Sequence, residues 1–203
     1  MRTFLAFITL LIMSQTTVWG QVIVGNYRLS STGKDYAVVV DDMQNRYKGR
    51  PANRELKKCQ IYLQVESETP GIEAYIKLTS GDATNFSKEL SKNLSKGRNK
   101  HNSTIRKQLG DSEVELYMKR LNEITGVPIY GYESGQDYGI FYEQNLSGQW
   151  FLSYLGESAK SEGNDGLTIC GWSLIISNQE EIHAIDELLR KAQTMIKNNR
   201  AEL

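Results

Sequence analysis

Two cysteines, two histidines and a few paired carboxylates are the residues whose types could do chemistry in this chain. A thiol nucleophile needs a base within reach, normally histidine, to hold it as thiolate. Cys170 lies in the run TICGWSLIIS (residues 168–177), and the next histidine, His183, falls among Asp186, Glu187 and Arg190 on the polar face of the last predicted helix. His101 belongs to a basic stretch far from either cysteine in sequence. Strand alternation puts Cys170 in phase with Trp172, Leu174 and Ile176, and Cys59 in phase with Ile61, Leu63 and Val65. Both thiols therefore belong to apolar faces and neither has a base. In an exported chain two such cysteines predict one disulfide, Cys59–Cys170. Closing a loop of about 110 residues would contribute about 4–5 kcal/mol in the chain-entropy picture.

Carboxylates give the next candidates. Asp41 and Asp42 end a predicted strand, and Glu66 lies on the polar side of another. Two carboxylates facing across a cleft would make a small hydrolase for a cell-wall or polysaccharide substrate. Adjacent aspartates at a strand end are also ordinary turn formers. The spacing around Asp41-Asp42 and Asn164-Asp165-Gly166 does not match a calcium loop, and two histidines leave little for zinc, so no metal and no cofactor is expected. The chain contains no phosphate-binding glycine pattern, G-x-S-x-G, H-E-x-x-H or S-x-x-K set. Catalytic residues are accordingly not assigned, and the balance leans away from an enzyme.

Aromatic residues offer a different chemistry. Tyr130, Tyr132, Tyr138, Tyr142, Trp150 and Tyr154 hold in-phase positions on three consecutive predicted strands. On one sheet face they would present large apolar bodies with polar tips, suited to a protein or glycan partner. Between Lys88 and Lys107 seven basic residues oppose one acid, Glu89, but Phe86 alone is available for stacking, so nucleic acid is not expected as a partner. Four N-x-S/T sequons, at Asn85, Asn93, Asn102 and Asn145, matter only in a glycosylating source.

The elements that must position these residues are legible from pattern. Residues 1–20 combine Arg2, an apolar stretch from Phe4 to Met13 and a polar end at Gly20, the layout of a signal peptide cleaved before Gln21. In that layout the chain resembles exported bacterial proteins, which implies a secreted or periplasmic location. Residues 21–203 are expected to form a single globular domain with no further membrane span. Lys and Arg total 24 against 24 Asp and Glu, which argues against a general affinity for polyanions.

Period-2 patterning predicts strands at 22–29, 36–40, 59–66 and 73–78, then 129–133, 138–143, 150–155 and 167–176, with turns at SGQD and QNLSG. The capping-box spacing of Ser112 with Glu115 and the stripe Val114, Tyr117, Met118, Leu121, Ile124 predict a helix over 112–125. Ser177 with Glu180 opens a second main helix over 178–198. Phe86, Leu90 and Leu94 predict only a short, weakly anchored helix leading into a loop. The expected fold is α+β, a mostly antiparallel sheet of about seven or eight strands with two main helices packed on it. The expected function is non-catalytic binding in the cell envelope or exterior. The alternatives are the carboxylate hydrolase and an inhibitor or immunity-type protein.

Overall fold

The computed structural model describes residues 21–100, 105–163 and 166–199. The predicted signal peptide, His101, the sequon at Asn102 and the pair Asn164-Asp165 lie outside them. The fold is α+β and almost wholly antiparallel, as the patterning implies. Strands β1 (Val22–Leu29) and β2 (Lys34–Asp41) form a hairpin through Gly33, whose positive φ of 68° suits the turn. A short helix α1 (Met43–Tyr47) and a 3-10 turn (Leu56–Lys58) lead to β3 (Gln60–Ser67) and β4 (Glu73–Leu78). Helix α2 (Ser80–Lys100) follows, then the long strands β5 (Arg106–Leu121) and β6 (Pro128–Gln144), and β7 (Trp150–Gly156). Short β8 (Ala159–Lys160) and β9 (Thr168–Ile169) pair with each other, and β10 (Trp172–Ile176) precedes α3 (Gln179–Asn198).

The eight-stranded sheet runs β1-β2-β3-β10-β7-β6-β5-β4, and β4 pairs back onto β3. Six strands thus close into a barrel, with β1–β2 attached as a flap. Closure works because β3 shares one edge between two neighbours: β2 takes Gln60–Leu63 and β10 takes Glu66–Ser67. Helices α2 and α3 cover one side. From α2, Ala83, Phe86, Leu90 and Leu94 are buried, and from α3, Ile182, Ile185, Leu189 and Ala192 join them in the main core. A smaller second core lies on the opposite face. Val39, Tyr62, Tyr75, Tyr117 and Tyr130 pack there under Met43 of α1.

Several sequence expectations change. Residues 112–121 are strand, not helix. Leu116 and Met118 enter the main core while Tyr117 enters the second, so both faces are covered and a helical stripe is mimicked. Glu115, read as a capping residue, instead pairs with Lys77 of β4 at 2.8 Å. The stripe's last members, Leu121 and Ile124, are exposed. Conversely, α2 is a full 21-residue helix rather than a short one. Thr79 and Asp82 begin it by bonding each other's backbone amides, and Gly97 is where it meets the Tyr142 ring, which a methyl there would overlap. The capping residue of α3 is Asn178, which accepts from the Glu181 amide at 3.0 Å. Glu181 in turn accepts from the Ser177 amide at 2.7 Å and from Ser30 of the β1–β2 turn, tying the helix to the flap.

The cysteines do not form a disulfide. Cys59 immediately precedes β3, whereas Cys170 stands two residues before Trp172, which pairs with Ser67 at the far end of β3. Eight strand residues separate those ends, about 26 Å, against the Cα separation of about 7 Å a disulfide tolerates. Cys59 is buried and its thiol is pushed up to about 11, by burial first and then by the neighbouring Asp41 and Asp42. Cys170 is exposed, outside the core stripe assigned to it.

Candidate binding groove

A bulge in β6 decides where the aromatic residues go. Val114 pairs with Gln136 but Leu116 pairs with Glu133, so β6 carries an extra residue around Gly135, whose φ is +62°. The side-chain phase reverses there. Tyr138 and Tyr142, with Tyr154 of β7, point into the main core, whereas Tyr130 and Tyr132 belong to the second. The six aromatics expected on one face are therefore split between opposite faces, and SGQD is a bulge within one strand rather than a turn. Tyr138 touches Tyr154 at 5.6 Å and Trp172 at 5.5 Å between ring centroids. Trp150 is half-buried, stacked on Tyr142, and borders a separate uncharged hollow with Asn145, Gln149 and Asn178.

The second core is polar at its edge. Asp41 is fully buried, and both its oxygens accept from Arg46 Nε at 2.9 Å. Burial raises the Asp41 carboxyl and the guanidinium opposes that rise. Asp42 caps α1 by accepting from the Asn45 amide at 3.2 Å, and also accepts from the Asn53 amide at 3.1 Å. Glu66 is held by Lys34 at 2.6 Å and by the Tyr36 hydroxyl. Each carboxylate considered for hydrolysis is thus engaged in holding the chain together. Around Asp41 the phenols of Tyr62, Tyr117 and Tyr130 are buried, and burial raises each of them. His183 lies on the exposed face of α3 beside Glu187 at 3.3 Å.

Two adjoining concavities lie elsewhere, where β4 and β5 part. Strand β4 accompanies β5 only from Glu73↔Lys119 to Ile76↔Leu116; the chain then turns into α2 while β5 continues. A cavity of about 420 Å³ opens between the first turns of α2 and residues 112–115 of β5. A second, of about 620 Å³, continues over residues 106–113, 137–141 and 155–157. Ser112, Glu113 and Tyr138 line both, so the two adjoin at the edge of β5, the first on its α2 side and the second on the opposite face, and together make a groove along that edge. Behind Glu89, in the core, Asn93 donates to the Tyr154 hydroxyl at 2.9 Å, and that hydroxyl reaches Glu89 at 3.4 Å. Asn93 is therefore a buried structural residue rather than a surface sequon. Phe141 lies over Gly139, whose missing side chain makes room for the ring, and Arg106 stacks on Phe141 at 3.8 Å.

The groove is acidic in a specific way. Its two cations are engaged: Lys77 with Glu115, and Arg106 with Glu143 at 3.2 Å. Asp82, Glu89, Asp111, Glu113, Asp137 and Glu157 line it with no ion-pair partner among the described residues. A chain of balanced overall charge thus concentrates unpaired negative charge in two adjoining concavities, which attracts cations. Among the described residues no group of three His, Cys, Asp or Glu side chains is placed to hold a metal ion, and no helix is long and apolar enough to cross a membrane. Of the six predicted aromatics only Tyr138 lines this groove. Sequence reasoning missed the rest because its carboxylates are spread over two strands, a helix and a loop, with only Asp111 and Glu113 forming a local i, i+2 pattern. Comparison of the chain with family models, with curated proteins and with solved structures gives no match.

Proposed function

We propose that this chain is an exported, non-catalytic binding domain whose partner is cationic and docks in the groove along the free edge of β5. One observation carries the reading: six carboxylates without ion-pair partners among the described residues, Asp82 among them, line the two adjoining concavities while the cations lining them are engaged. The volumes suit a ligand of drug size or a short peptide. The leading segment, with its signal-peptide layout, supports export. The test is calorimetric titration with spermine as a simple polycation at low ionic strength. Binding is expected, weakening as salt rises. The triple variant Asp111→Asn, Glu113→Gln, Asp137→Asn should lose about tenfold in affinity, from roughly 0.5 kcal/mol per exposed charge. Salt-independent binding, or none, would overturn the reading.

The hollow beside Trp150 favours a second reading, a glycan partner, because its lining is uncharged and rich in amides and hydroxyls. Oligosaccharide binding abolished by Trp150→Ala, with groove variants neutral, would establish that reading in place of the first.

A further inference from the structure

An unused sheet edge borders the groove. Beyond Leu116 the outer edge of β5 carries no strand partner among the described residues, and only Lys96 reaches it, donating to the Leu109 carbonyl at 2.7 Å. A bulge at Leu109 and the β6 bulge opposite Glu115 bound the free stretch, leaving Gly110–Val114 in regular extended register with β6. In such a strand every second residue directs its N–H and C=O outward, ready to pair with an added strand about 4.8 Å away. We propose that the groove accepts an extended basic peptide segment that adds to β5 as a strand, in the line β4 would have followed had it not turned into α2. This rests on the reading of the groove as a cation site.

The surroundings specify the segment's pattern. On the outer face of β5, Asp111 and Glu113 point away from the core, flanking Gly139 and Asp137 of β6. On the inner face Val114 packs against the main core, and Phe86 of α2 lines the cavity opposite. An added strand sends alternate side chains to these two environments. The occupant that fits alternates basic residues, toward Asp111 and Glu113, with small apolar ones, toward Val114 and Phe86. A second copy of this chain is a poor occupant, because edge-to-edge pairing would oppose the same carboxylates. Strand addition supplies affinity through the backbone and selectivity through alternate side chains.

The experiment compares three probes by calorimetry at low salt: a capped hexapeptide of alternating Lys and Val, the same peptide N-methylated at alternate residues along one edge, and spermine. Strand addition predicts that the unmodified peptide binds and that the N-methylated form, of identical charge, binds at least tenfold more weakly. Equal binding of both peptides would overturn strand addition while leaving the cation groove standing. Failure of all three probes would overturn both. Sedimentation of the protein alone should give a monomer; a dimer dispersed by Asp111→Lys would make a second copy the occupant and overturn the proposal.

Discussion

The tyrosine content makes a quantitative claim about alkaline stability. Five of the 11 tyrosines, Tyr27, Tyr62, Tyr75, Tyr117 and Tyr154, are at most 3 % exposed, and burial raises each of their phenols well above the ordinary value of 10.0. Above pH 10 an unfolded phenol releases its proton while a buried one keeps it. The unfolded state is then the one stabilised, so this contribution to folding is intact below pH 10 and is lost as pH climbs. At about pH 11 each phenol withdraws about 1.4 kcal/mol, and five together withdraw about 7 kcal/mol. A domain of this kind has roughly 5–15 kcal/mol in all, so cooperative unfolding is expected between about pH 11 and pH 12. Tyrosinate absorbance and near-ultraviolet circular dichroism, followed on one sample, provide the assay. Those phenols should ionise in the same step that abolishes the tertiary signal. Ionisation of all 11 near pH 10 with the tertiary signal intact would refute the burial argument.

Other consequences follow from particular contacts. In the native protein Cys170 should react with a thiol reagent and Cys59 should react only on unfolding, with intact mass showing both thiols alkylatable. Gly156 faces the Trp172 indole so closely that a methyl would overlap its ring nitrogen, and Gly156→Ala should lower stability by about 1–3 kcal/mol in chemical denaturation. Arg46→Ala strands the fully buried Asp41 carboxylate and should cost about 3–5 kcal/mol, much of it recovered when Asp41→Asn is added.

Where a strand had one covered face, its sequence was readable. Cys59, Ile61, Leu63 and Val65 alternate because the opposite side of β3 is polar except at Tyr62, and α3 shows its stripe because it packs by one face only. The errors fall where two cores act on one segment. Leu116, Tyr117 and Met118 are all buried on alternate faces, and three consecutive large residues read as readily as helix. Helix α2 escaped because its partners are distant in sequence: Phe86 meets Tyr154 and Gly97 meets Tyr142, more than forty residues along the chain. The aromatic face failed on one bulge at Gly135, since an extra residue inverts every later side chain. The groove was the least legible feature. It exists because β4 leaves β5 after Ile76, a departure that no local pattern records.

Hydrogen exchange on the protein with and without the alternating Lys–Val peptide distinguishes strand addition at β5 from binding elsewhere. Amides of residues 110–114, at the unpartnered edge of β5, should be selectively slowed by the peptide, along with those in the facing first turns of α2. Protection confined to other surfaces, such as the hollow beside Trp150, with residues 110–114 unchanged, would rule out strand addition at β5.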